Sequence, residues 1–187
     1  MNPKLINFIT FQVGWFGCVL SAAHNIPWLG VMLVIAIVGL HVIWATSPAR
    51  EAQLVLLAVL FGIVFDSLLV SSGWVQYTSG MVLSNMAPYW IIAMWALFAT
   101  TLNSSMSWLR SKLLLASVLG VIFGPLSYMA GQRLGAIDIV DTNKAAIALA
   151  LAWSVAMPML MYAAGRPGKP KPKMADPLLN HRTGAEQ

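Results

Sequence analysis

Charge is what this chain has least of. Only 9% of its 187 residues are Asp, Glu, Lys or Arg, against 59% hydrophobic ones, whereas a soluble domain carries about 25% charged residues. A water-facing surface cannot be covered at that density, which excludes a soluble globular fold. The apolar content equally excludes a disordered chain, and no collagen-like repeat is present. A single cysteine, Cys18, excludes a disulfide framework and a Cys-rich zinc site. Three scattered histidines offer no metal-ligand spacing. Walker loop, dinucleotide fingerprint, His-Glu-x-x-His and paired acids within one apolar run are all missing, so no cofactor or metal is expected. The net charge of +5 is not gathered on a basic, aromatic-interleaved face, which argues against nucleic acid as a partner.

What is present is a series of apolar runs. A spanning helix needs about 20 mainly apolar residues, and six segments qualify: Leu5–Ala23, Pro27–Trp44, Ala52–Ser72, Ala87–Asn103, Lys112–Gly131 and Ala145–Ala164. In lipid they must be helices, because a lone strand leaves its backbone unpaired and no alternating barrel pattern exists. The expected fold is therefore an all-α polytopic bundle of six transmembrane helices over residues 1–165. Residues 166–187, beginning Arg166-Pro167-Gly168-Lys169-Pro170-Lys171-Pro172-Lys173, read as a disordered basic tail. The stretch Val75–Met86 reads as a surface or re-entrant segment. Prolines 27 and 48 mark helix boundaries, and Asp141 or Thr142 is suited to cap the sixth helix.

Lys and Arg set the expected orientation. With the N-terminus inside, Lys4, Arg50, Arg110, Lys112, Arg166, Lys169, Lys171, Lys173 and Arg182 fall inside, and Arg133 and Lys144 outside. Both termini are thus expected on the cytoplasmic face of the membrane. Lys4, the first apolar run and Ser21-Ala22-Ala23 superficially resemble a signal peptide. Gln12 and Trp15 sit poorly in one, and cleavage would leave five spans with the basic tail misplaced.

Asp66 is the one charge deep in a span. It lies about 21 Å from Ala52 at 1.5 Å per residue, and an Asp at mid-span costs about 2.5–3.5 kcal/mol on the insertion scale. The Leu, Ile, Val and Phe side chains from Leu54 to Val70 return roughly 4–8 kcal/mol on that scale, so the helix still inserts. Such a carboxyl should face the bundle or a wet cavity and have a partner. The partners at its depth are His24, Ser127, Tyr128 and Arg133, with an Arg133–Asp138 pair as the duller option for Arg133. Asp66 reads equally well as a structural anchor and as an acid–base or proton-carrying group assisted by His24 or Tyr128. Gly62, one turn earlier, would let a neighbouring helix approach. Gln12, one turn before Trp15, reads first as interhelical glue and second as a ligand contact. His41, Asn103 and Arg110 could meet lipid phosphates, although capping and snorkelling explain them more simply. Ala116, Gly120, Gly124, Ser127 and Gly131 form a small-residue stripe that favours close helix packing, and Pro125 should kink the helix beside it.

Several of these residues fall in motifs that occur in a fixed order. They are Phe11-Gln12-x-Gly14-Trp15-Phe16, then Ala22-Ala23-His24, Asp66, Trp95-Ala96-Leu97-Phe98-Ala99-Thr100-Thr101-Leu102-Asn103, and Gly124-Pro125-Leu126-Ser127-Tyr128. In this the chain resembles an uncharacterised bacterial inner-membrane family known only as a domain of unknown function, over about residues 5–164. Some relatives carry His where this chain has Ser104. The resemblance implies a lipid context, since members are often encoded beside lipid-modifying enzymes, and it draws attention to Gln12, Trp15, Asp66, Asn103 and Tyr128. The expected function is a non-enzymatic accessory or lipid-binding component of membrane lipid modification. Membrane lipids and a lipid-modifying enzyme are the expected partners. The alternatives are an intramembrane lipid-modifying enzyme using Asp66 and a small proton-coupled transporter.

Overall fold

The computed structural model describes residues 2–165, so the basic tail lies outside the described residues. Six helices run in order: α1 Pro3–Ala23, α2 Pro27–Trp44, α3 Pro48–Ser71, α4 Tyr89–Leu102, α5 Leu113–Arg133 and α6 Thr142–Gly165. A short 3-10 turn, Ser107–Leu109, precedes α5, and two three-residue strands, β1 Val75–Tyr77 and β2 Ile137–Ile139, complete the order. Pro3, Pro27 and Pro48 each occupy a helix's first turn, where a missing N–H costs nothing. The Asn2 side chain accepts from the Lys4 amide to cap α1. Asp141 caps α6, accepting from the Lys144 amide at 3.1 Å. Its carboxyl is held below the ordinary value, first by the Lys144 ammonium and then by that amide.

All six apolar segments are helical, and five are long and apolar enough to cross a membrane. The exception is α4, whose 14 residues reach only about 21 Å, short of the ≈ 30 Å hydrocarbon layer. It is also the most enclosed helix, with Trp90, Ile91, Trp95, Leu97, Ala99, Thr100, Thr101 and Leu102 all buried. It packs against α1, α2 and α3. The outer helices do the opposite and turn large apolar side chains outward, as at Ile35, Ile43, Val64, Leu114 and Leu151. This inside-out distribution is stable in lipid and costly in water. At the other extreme, α3 begins earlier than expected, so Arg50 and Glu51 belong to its first turn.

The ends of the bundle differ. At the end carrying Lys4, Arg50, Arg110 and Lys112, Asn7 of α1 donates to the Thr100 carbonyl at 3.2 Å and accepts from the Ser105 hydroxyl at 2.7 Å. At the opposite end the α3–α4 and α5–α6 connections meet as a two-stranded antiparallel ribbon, pairing Val75 with Ile139, Gln76 with Asp138 and Tyr77 with Ile137. Val75, Tyr77, Ile137 and Ile139 point into the bundle while Gln76 and Asp138 face out, the alternation a half-buried ribbon requires. Only residues 75–77 of the stretch Val75–Met86 join the ribbon, and Thr78 extends the link through its hydroxyl to the Gly135 carbonyl at 2.7 Å.

Glycines set how closely the helices approach. A Cβ on Gly30 would lie 2.6 Å from the Cys18 Cα and 2.7 Å from the Gly17 carbonyl, so α1 and α2 touch backbone to backbone there. In α5, Ala116, Gly120, Gly124 and Gly131 are all buried, and a Cβ at Gly120 or Gly124 would enter Trp153 of α6. Gly39, by contrast, has nothing within 4 Å of its would-be Cβ. Gly30→Val is therefore expected to lower detergent-solubilised stability by about 1–3 kcal/mol, the usual cost of overpacking, whereas Gly39→Ala leaves it unchanged within about 0.5 kcal/mol. Thermal unfolding of the two variants side by side checks both.

Candidate functional site

A carboxylate that enters a bundle without a cation has to be satisfied by neutral donors. Asp66 of α3 is wholly buried and is met by donors from three other elements. Tyr77 of β1 donates to Oδ1 at 2.8 Å and Tyr128 of α5 donates to the same oxygen at 2.5 Å, while the Trp95 indole of α4 donates to Oδ2 at 2.7 Å. Burial, and after it the adjacent Asp66 charge, pushes the Tyr77 phenol well above its ordinary value, which keeps it a donor. Gly62 makes the arrangement possible, because a Cβ there would collide with the Trp95 ring. The helix that comes close at Gly62 is thus α4.

Trp95 continues outward into an aromatic cluster. It stacks on Trp153 at 4.8 Å with planes 16° apart, and Phe98 stands edge-on to Trp153 at 5.2 Å. These rings form one wall of a cavity of about 600 Å³, closed by α1, α4, α5, α6 and the 3-10 turn. Phe11, Gln12 and Trp15 of α1 line one side, and Ser127 and Tyr128 of α5 another. Phe16, Phe123 and Leu126 line it too and are 46%, 61% and 48% exposed, so the mouth lies on the flank of the bundle that faces lipid. Asp66 does not line this cavity; its ligands Tyr128 and Trp95 do. The carboxylate stands one side chain behind the wall.

The residues singled out from sequence therefore separate into three places. Gln12, Trp15, Ser127 and Tyr128 are at the cavity, with Asp66 behind it. Gln12 makes no hydrogen bond among the described residues, contrary to the expectation of interhelical glue, and its half-buried amide is left to the cavity. Ser127 donates to the Gly124 carbonyl at 2.7 Å. Asn103 sits at the basic end, donating to Glu51 Oε1 at 2.8 Å and accepting from Arg110 at 2.5 Å. His24 and Arg133 are exposed near the ribbon end. The His24 ring contacts the Leu20 carbonyl at 2.8 Å, and among the described residues Arg133 pairs with neither Asp66 nor Asp138. Both expected partnerships with Asp66 fail for the same reason: the tyrosines and Trp95 fill its surroundings. Tyr77, Trp95 and Trp153 are the contributors that sequence reasoning did not assign a role. Trp95 opens the Trp95–Asn103 motif, and Tyr77 lies in a polar connection with no periodic signal.

The described residues contain no group of His, Cys, Asp and Glu able to hold a metal. What the site can do is bind an apolar chain against aromatic rings, with the Gln12 amide, the hydroxyls of Ser127 and Tyr128, and the buried, unpartnered indole N–H of Trp153 as its polar groups. Removing the carboxylate should expose how much of the bundle it organises. Asp66→Leu leaves three buried donors without an acceptor, each costing about 1–3 kcal/mol, and is expected to unfold or fail to accumulate. Asp66→Asn retains an acceptor for Trp95 and an N–H₂ that the tyrosine oxygens can accept, so it should stay folded with a modest loss. Tyr128→Phe should cost about 1.5–3 kcal/mol, the range for a hydrogen bond to a charged group. Melting temperatures in detergent rank the three variants.

Comparison with known proteins places the chain within one family. No curated protein and no solved structure matches it. A family model described as a protein of unknown function, DUF2878, matches residues 4–159, which takes in every helix up to most of α6. The chain belongs to the DUF2878 family.

Proposed function

We propose that this protein is a non-enzymatic lipid-binding component of membrane lipid modification, holding an acyl chain in the cavity between α1, α4, α5 and α6. One observation carries the reading: the cavity is aromatic, about 600 Å³ in volume, and its mouth is made of exposed Phe16, Phe123 and Leu126 on the lipid-facing flank. That volume falls among typical ligand sites, ≈ 300–1,000 Å³, which are mostly apolar with a few placed polar groups. Gln12 supplies such a group, because its amide has no partner among the described residues. Asp66 supports the non-enzymatic reading, since all its hydrogen bonds go to side chains that hold the fold together. In this reading the protein resides in a bacterial inner membrane with both termini cytoplasmic, and its basic tail attracts anionic lipid at about 1 kcal/mol per Lys or Arg near the surface.

One observation favours a second reading. The Tyr128 hydroxyl that bonds Asp66 belongs to a residue that lines the cavity, so a proton could pass between a bound lipid and the carboxylate, as an intramembrane lipid-modifying enzyme would require.

Two measurements separate these readings. Ser127→Trp, which fills the cavity from α5, should strip co-purifying lipid from the protein while leaving it folded; retention of the same lipid would sink the binding reading. In a deletion strain complemented with Asp66→Asn, an accessory protein restores the wild-type lipid profile. An enzyme using Asp66 leaves the profile of the deletion.

A further inference from the structure

A second cavity, of about 520 Å³, opens at the basic end, among Arg50 and Gln53 of α3, Asn103 and Arg110 of the α4–α5 connection, and Ala163 and Ala164 of α6. The charged side chains that line it are both arginines. The nearest acid, Glu51, is directed elsewhere: its Oε2 faces His41 Nε2 at 3.2 Å, its Oε1 accepts from Asn103 at 2.8 Å, and it does not line the cavity. Asn103 therefore acts as a spacer. It takes up Glu51 with its amide N–H₂ and offers its carbonyl to Arg110, which keeps the guanidinium from collapsing onto the carboxylate. Arg110 consequently retains donors to spare, and its Nε is buried with no hydrogen-bond partner. A buried guanidinium N–H left unmade is costly, and the chemistry that answers it is a planar or tetrahedral oxyanion able to accept from the guanidinium fork. The α3 N-terminus adds to the same field, since Ser47 lines the cavity and makes no side-chain cap.

We propose that this cavity is a binding site for a phosphate-bearing anion, held by Arg110 and Arg50. It is distinct from the apolar cavity, with which it shares no lining residue, and does not depend on what that cavity holds. Leu54, Leu57, Ala163 and Ala164 supply an apolar wall beside the arginines, which suits an anionic lipid headgroup whose glycerol and chains continue along α3 and α6. A soluble phosphate presents the same oxygens to the same arginines.

The test uses the full chain in detergent with three probes: dioctanoyl phosphatidic acid, dioctanoylglycerol, and inorganic phosphate. Binding is read by native mass spectrometry for the lipids and by calorimetry for phosphate. Phosphatidic acid should bind in clear preference to dioctanoylglycerol, which has the same chains and no phosphate. Arg110→Gln should weaken it roughly tenfold or more. Because Arg110 also supports Asn103, a second variant avoids that network: Gln53→Glu is exposed, makes no hydrogen bond among the described residues, and places a like charge at the rim. It should weaken phosphatidic acid by a similar factor with an unchanged melting temperature. Inorganic phosphate binding that depends on Arg110, without lipid preference, would support the site and assign it to a soluble anion. Equal binding of phosphatidic acid and dioctanoylglycerol, with no Arg110-dependent phosphate binding, overturns the proposal, as does an affinity that neither variant changes.

Discussion

A carboxylate in the apolar interior cannot be left to find water, and the bundle is built around satisfying the one at Asp66. Its acceptors are shared among β1, α4 and α5 while the residue itself belongs to α3, so four separate stretches of chain are fixed relative to one another by a single side chain. Between apolar helices in lipid there is little hydrophobic force to choose one register over another. A directional, fully buried hydrogen-bond set supplies that choice. It also explains why the ribbon exists: Tyr77 can reach Asp66 only if the α3–α4 connection folds down over the bundle, and pairing with β2 holds it there.

The same set determines where empty space remains. To bring its indole to Asp66, Trp95 fills the notch at Gly62, and its outer face then stacks on Trp153. Trp153 in turn occupies the small-residue groove of α5 at Gly120 and Gly124. Rings this large, held by stacking and by a glycine groove, cannot shift to fill the space beside them, and α4 is too short to extend into it. The cavity is thus a consequence of the anchor, and its wall is as rigid as the anchor is strong.

Much of the fold was legible because its causes are local. Apolar run length fixed the six helices, Pro27 placed the start of α2, and the small-residue spacing in α5 marked a close approach. The shortness of α4 was legible as well, since the fourth apolar run is the shortest and opens at Pro88, one residue before the helix starts at Tyr89. Asp66 was legible as an oddity, yet its partners were not. Arg133 and His24 drew attention through their charge, whereas the actual donors are neutral, and in a low-dielectric setting two phenols and an indole satisfy a carboxylate without a second ion to desolvate. Glu51 gives no sign in the sequence of the basic-end network, because the third apolar run begins at Ala52, one residue past it.

The two ends of α4 show the same problem solved in different ways. At the Trp95 level the carboxylate has no cation, and three neutral donors are spent on its two oxygens. At the Asn103 level a carboxylate and a guanidinium share one neighbour, and Asn103 stands between them, bonding each. Insertion of a neutral amide between two ions gives up part of their mutual attraction, and in return leaves the guanidinium incompletely used. Where only stability is at issue, a direct Arg–Glu pair would serve at least as well. The interposed amide therefore makes sense as a way to hold a cation ready for an anion that arrives from outside the chain, and the closed set at Asp66 as a way to leave neither carboxylate oxygen unanswered in the middle of the membrane.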